Sequence, residues 1–186
     1  MLGERFDAAL LLASDLHRQQ VRKESGVPYV SHLLAVCALA LEFGADEDQA
    51  IAALLHDAVE DQGGLDTAAR IRTRFGDRVA ELVLALTDAV VVPKPPWRER
   101  KEVYLRHLAA APDEVLLVSC CDKIHNARSI VQDHGQSGAA LWSRFTGGRD
   151  GTLWYYRELA AIFARRGPSR PARLLGELAA TMQTLA

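Results

Sequence analysis

Apolar residues recur at spacings of three and four along almost the whole chain, and strict alternation is rare. That is the period of an amphipathic α-helix rather than of a half-buried strand, and it directs the chain to an all-α helical bundle. Glycine and proline divide the pattern into elements. A first helix is expected over residues 4–20, with Phe6, Leu10, Ala13 and Leu16 in its buried stripe. Gly26 and Pro28 break the stretch 21–29. A second helix covers 30–43 and ends at Gly44, a left-handed cap. The third opens at Asp46 as N-cap, runs through Ile51, Leu54 and Leu55 to about residue 60, and stops at Gly63-Gly64. Asp66 or Thr67 caps a fourth, which ends at Phe75-Gly76. Asp77 opens a fifth through Val79, Leu82, Val83 and Leu86. Pro93, Pro95 and Pro96 make 90–97 a loop, after which a helical pattern covers 97–110. Pro112 suits a first helical turn with Asp113 and Glu114 beside it, and a long helix is expected from there to about residue 134. Its apolar start, 115–121, would look the same in a buried strand; the unbroken continuation decides for helix. Further helices are expected over 138–145, 152–166 and, beyond a hinge at 167–171, 172–185.

No repeat, low-complexity tract or linker interrupts this pattern, so the 186 residues read as one domain, 1–186. The net charge of −2 supplies no overall basic field for nucleic acid, leaving local Arg and Lys clusters to meet a small anionic substrate. Cys37, Cys120 and Cys121 sit in apolar runs with no disulfide or zinc-ribbon spacing, and read as small core residues in a reducing compartment. Glu4, Arg5, Asp7 and Asp15 interrupt residues 1–16 where a signal peptide would need an apolar core. No apolar run approaches the roughly 18 residues of a membrane span. The chain is expected in the cytoplasm, without a membrane partner.

The third helix carries the chemistry. It is apolar nearly all round from Ala50 to residue 55, and then His56, Asp57, Glu60 and Asp61 arrive together. On a continuous helix His56 stacks with Glu60 and Asp57 with Asp61, tiling one polar patch. Three carboxylates at the end of a buried helix repel one another and lose hydration. A divalent cation resolves that conflict; so does a helix end that emerges into water. His32 at the start of an apolar helix, Asp122 directly after the apolar run 115–121, and Asn126 one turn beyond it favour the cation. His32, His56, Asp57 and Asp122 form a mixed nitrogen and oxygen set suited to Mn, Fe or Zn more than to Ca or Mg. Four such ligands leave two positions of an octahedral ion for water and a substrate oxygen, as metal-assisted hydrolysis requires. Glu60 or Asp61, just past the ligands, is placed to hold the water.

These residues, in this order, resemble the HD superfamily of phosphohydrolases. Arg22-Lys23-Glu24-Ser25-Gly26-Val27-Pro28-Tyr29-Val30-Ser31-His32 is similar to the RKxGxPYxxH signature of the hydrolase domain in RelA/SpoT-type alarmone enzymes, with one extra residue before Gly26. Leu55-His56-Asp57-Ala58-Val59-Glu60-Asp61 resembles their LHDxxED motif, and Asp122-Lys123-Ile124-His125-Asn126-Ala127-Arg128 their DRxHNxR. The resemblance covers roughly residues 5–130, while 137–186 form C-terminal helices without a family motif. It implies an all-helical fold and a manganese site held by His32, His56, Asp57 and Asp122. It further implies Glu60 and Asp61 as the catalytic acidic pair, Arg22 and Lys23 on the substrate's phosphates, and Asn126 on the substrate. The implied reaction is removal of the 3′-pyrophosphate from ppGpp or pppGpp, by a stand-alone small hydrolase too short for a synthetase domain.

Other readings compete residue by residue. Arg22 and Lys23 would also suit a solvated loop. Lys94, Arg98, Arg100 and Lys101 read as a solvated helix face rather than a phosphate-binding rim. His17, His107 and His134 are assigned to the surface, and His125 to structural hydrogen bonding. Trp154, Tyr155 and Tyr156 are assigned to the core rather than to a purine base. Two other functions remain: a different HD phosphohydrolase, acting on an adenosine alarmone, a deoxynucleotide 5′-phosphate or NADPH, and a catalytically idle domain that binds a nucleotide or partner.

Overall fold

The helices the period implies are present. A computed structural model describes residues 1–22, 26–88, 93–166 and 170–185, and among these no strand occurs. Among the described residues ten α-helices follow in chain order: α1 Glu4–Leu16, α2 Val30–Glu42, α3 Glu47–Leu55, α4 Ala58–Asp61, α5 Gly64–Phe75, α6 Asp77–Leu86, α7 Trp97–Ala110, α8 Asp113–Ser137, α9 Gly148–Arg165 and α10 Arg170–Gln183. A 3₁₀ segment, Gly138–Arg144, stands where an α-helix was expected over 138–145. No helix is long and apolar enough to cross a membrane among the described residues. The chain divides into two compact units, Met1–Lys94 with Pro112–Cys121, and Pro95–Ala111 with Asp122–Ala186.

In the first unit, α3 is the central element, packed by α1, α2 and α6. Its start is set locally. The Asp46 carboxylate accepts from the Gln49 amide at 2.9 Å, and Gln49 Oε1 accepts from the Asp46 amide at 3.0 Å. This capping box satisfies two amides that the first turn leaves unpaired. From Ala50 to Leu55 every residue is fully buried. Each Ile or Leu among them contributes roughly 1.5–3 kcal/mol by leaving water. In α1 the buried stripe is Ala9, Leu12 and Ala13, with Phe6, Leu10 and Leu16 only half-buried.

The third helix does not run on to residue 60. It stops at Leu55, and α4 begins three residues later at Ala58. The cause is a side chain: the Ala53 carbonyl, the acceptor an unbroken helix offers to the Asp57 amide, instead accepts from His56 Nδ1 at 2.8 Å. A side chain that enters the backbone ladder in this way interrupts it. Beyond α4, Gly63 adopts φ +111°, a left-handed conformation that glycine takes without steric penalty. It allows α5 to start at Gly64, ahead of the caps expected at Asp66 or Thr67; the Thr67 hydroxyl instead donates to the Gln62 carbonyl.

In the second unit, α9 packs against α7, α10 and the 3₁₀ segment. Trp97 opens α7 and lies so close to Gly147 that a Cβ there would approach its ring to 2.7 Å. Tyr155 and Tyr156 are buried and Trp154 half-buried, in agreement with the core assignment. The run 115–121 is helical within α8, and Cys37, Cys120 and Cys121 are buried thiols outside any disulfide. Burial pushes the Cys37 thiol up to about 11.

Candidate metal centre

The break after Leu55 decides where Asp57 points. His32, on the first turn of α2, and His56 are 2% and 3% exposed, with ring centroids 5.2 Å apart in an edge-on arrangement. His56 Nε2 lies 3.0 Å and His32 Nε2 3.6 Å from Asp57 Oδ2. One donor atom from each of the three residues falls within 4.8 Å of the other two, a group able to hold a metal ion. The donor set fits a divalent transition metal. The hydrogen bond of His56 Nδ1 to a main-chain carbonyl directs Nε2 at the carboxylate, so that loss of the Nε2 proton would present its lone pair to a cation, the outer-shell arrangement typical of metal-binding imidazoles. Burial pushes the Asp57 carboxyl up, but the charge of His56 and hydrogen bonds from both imidazoles outweigh it and hold the group well below the ordinary range.

Tyr29 adds a fourth contact. Its hydroxyl donates to Asp57 Oδ2 at 2.6 Å. It stands three residues before His32, and its amide donates to the Gln20 carbonyl at 2.9 Å. The described residues on either side of 23–25 meet: the Arg22 amide donates to the Val27 carbonyl, Gly26 turns with φ +70°, and Val21 and Pro28 form an isolated bridge. Arg22 is half-buried at this loop, whereas Lys23 falls outside the described residues.

Glu60 and Asp61 do not tile one patch with His56 and Asp57. Glu60 accepts from Lys94 Nζ at 2.7 Å and from the Asp88 amide at 3.2 Å. Asp61 accepts from Gln20 Nε2 at 2.8 Å. Loss of hydration raises the Asp61 carboxyl above its ordinary value, Gln20 opposes the rise, and the nearby charges of Asp57 and Glu60 add to it. Lys94 is exposed, as the solvated reading expects, and in addition forms an ion pair with Glu60. Arg98 lies over the Trp154 ring and pairs with Glu102, and Lys101 stands 5.2 Å from the Tyr155 ring centroid.

In the second unit, Asp122 is 7% exposed, with Asn126 Nδ2 donating to Oδ1 at 2.6 Å and Lys123 Nζ to Oδ2 at 2.5 Å. Asn126, expected on the substrate, thus contacts a carboxylate of its own helix. His125 is half-buried, His107 exposed, and His134 half-buried against Trp142. His17 corrects its surface assignment: it is 2% exposed and stacks on Tyr29 with centroids 5.4 Å apart. The residues that sequence reasoning left without a role, Tyr29, Gln20 and Lys94, all meet the acidic motif through contacts distant in the chain. Only Tyr29 carried a usable signal, its place one helical turn before His32.

The sequence model of the HD domain family matches residues 9–153. The guanosine-3′,5′-bis(diphosphate) 3′-pyrophosphohydrolase of Xenopus tropicalis is 36% identical over 132 residues, which cover 67% of this chain and 71% of that protein. The bifunctional (p)ppGpp synthase/hydrolase SpoT of Escherichia coli (strain K12) is 34% identical over 133 residues, 68% of this chain but 18% of that much longer protein. A solved structure of a metazoan ortholog of SpoT, described as hydrolysing ppGpp and playing a role in starvation responses, superposes with a TM-score of 0.78 at 26% identity. That match covers 100% of this chain and 99% of the other. With the histidine and aspartate donors gathered as above, the chain belongs to the HD domain family and is a metal-dependent phosphohydrolase related to the RelA/SpoT-type enzymes.

Proposed function

We propose that this protein is a Mn²⁺-dependent hydrolase of guanosine alarmones, converting ppGpp to GDP and pppGpp to GTP with release of pyrophosphate. The observation that carries the reading is the convergence of His32, His56 and Asp57 donor atoms within 4.8 Å in a chain of this family. Asp122 is proposed as the fourth ligand on its motif. A cation held by these residues would supply Lewis acidity to the pyrophosphate and to water. The rest of the chemistry falls to the chain. Asp61, with its raised carboxyl, takes a proton from the attacking water, and Glu60 orients that water; a base so placed contributes about 10²–10⁴-fold. Arg22 and Lys23 are proposed to pair with the substrate's phosphates, matching their charge as it redistributes, and Asn126 to reach the nucleotide.

The test is incubation of the chain with ppGpp and Mn²⁺, followed by nucleotide chromatography and a pyrophosphate assay. GDP and pyrophosphate in equal amounts, abolished by chelation and by Asp122→Asn, is the expected result. Release of single phosphate, or turnover confined to an adenosine alarmone, a deoxynucleotide or NADPH, refutes the guanosine alarmone assignment.

A further inference from the structure

The end of α1 carries polar groups that the reaction as proposed does not use. His17 caps that helix, is 2% exposed, and lies flat against Tyr29. Gln20 sits between His17 and the acidic motif. The protons in this cluster follow from elementary donor and acceptor rules. A carboxylate only accepts, so the 2.8 Å contact to Asp61 Oδ2 is donated by Gln20 Nε2. The amide orientation is then fixed, and Gln20 Oε1 faces the other way. There it accepts from Gln62 Nε2 at 2.6 Å and meets His17 Nδ1 at 2.7 Å. An acceptor oxygen opposite a ring nitrogen requires that nitrogen to carry the proton. The neutral imidazole of His17 is therefore protonated on Nδ1. Its Nε2, buried without a hydrogen-bond partner among the described residues, is left as a bare acceptor, less costly than a stranded N–H.

From this chain of contacts we infer that Gln20, oriented by His17, is a positioning residue that holds Asp61 for the reaction. The inference rests on the proposed role of Asp61 in taking the proton. Asp61 ends a helix of only four residues, too short to set its rotamer. Gln20 engages Oδ2 and so holds the carboxylate in the rotamer that the proposed proton transfer uses. Across the same ring stack, Tyr29 donates to Asp57, and the Tyr29 amide is tied to the Gln20 carbonyl. His17 thus sits between the residue that orients a metal donor and the residue that orients the acid. Preorganisation of this kind raises the rate of the chemical step without strengthening substrate binding.

Gln20→Leu keeps the volume and removes the donor. We expect kcat to fall about 10–100-fold, with KM and the calorimetric affinity for Mn²⁺ unchanged. His17→Phe preserves the stack on Tyr29 but removes Nδ1–H, and loses about tenfold in kcat. His17→Asn, which returns a donor to the Nδ1 position, recovers most of that loss. Because both residues act through one hydrogen bond, His17→Phe lowers kcat no further when added to Gln20→Leu. Independently of turnover, long-range ¹H–¹⁵N spectra of the unaltered chain should show His17 as the Nδ1–H tautomer, with that preference lost in Gln20→Leu. An Nε2–H tautomer, or a Gln20→Leu chain as fast as the unaltered one, overturns the inference while leaving the proposed function standing. An unaltered chain inert toward every nucleotide defeats the functional reading and the positioning role together.

Discussion

Asp57 and Asp122 are both carboxylates drawn out of water, and they are held in opposite ways. Asp57 is gripped from afar: His32 and Tyr29 reach it from 25 and 28 positions earlier in the chain, and only His56 is its neighbour. Asp122 is gripped from its own helix, by Lys123 beside it and Asn126 one turn on. The first arrangement exists only when α2 and the end of α3 have packed, so its donor geometry is a product of tertiary folding. The second forms with the helix itself. Desolvation raises the proton affinity of a carboxyl group, and each site places compensating groups beside it, one imidazoles able to serve a metal, the other a half-buried ammonium. Lys123 is accordingly held well above its ordinary value: burial lowers it, and the charge of Asp122 more than compensates.

Substitutions can break each grip in turn. Asp57→Ala has the largest expected effect, complete loss of Mn²⁺ binding by calorimetry and of metal-dependent turnover, because it removes the oxygen on which both imidazoles converge. Asp122→Ala comes next and acts on stability as well as chemistry. It strands the Lys123 ammonium, whose side chain is 14% exposed, and should lower the unfolding free energy by about 3 kcal/mol in urea titrations. Asp122→Asn, which keeps an acceptor for Lys123, should lose less than half of that, a contrast the long-range site would not show. Tyr29→Phe leaves the fold intact and deletes one hydrogen bond to Asp57. Its signature is a weakening of Mn²⁺ affinity by about 10–100-fold, read by metal titration. The smallest effect belongs to Asp46→Ala. Loss of its capping box should cost about 1 kcal/mol by thermal unfolding, with kcat unchanged, since α3 starts nine residues before His56 and fifteen after His32.

What could be read from the bare chain follows the same division between local and distant contacts. The helices were legible because burial imposes a period on neighbours, and the Asp46 cap because its partner stands three residues on. His32, His56 and Asp57 were legible as donors because charged and imidazole groups at the edge of apolar helices need a partner. The break between α3 and α4 was not, because it depends on one rotamer of His56. His17 was misassigned to the surface because Arg18, Gln19 and Gln20 around it are polar; the Tyr29 ring that buries it arrives twelve residues later. The ion pair of Lys94 was not legible for the same reason, as its partner Glu60 is 34 positions away.

The hydrogen bond from His56 to the Ala53 carbonyl has an evolutionary corollary. Its acceptor is main chain, so no replacement of the side chain at residue 53 can delete it. The bearing of one ring of the candidate metal centre is thereby insulated from mutational drift at its own support. Libraries built to alter selectivity can vary the neighbouring wall of α3 within the limits of packing volume and still inherit an imidazole aimed in the same direction.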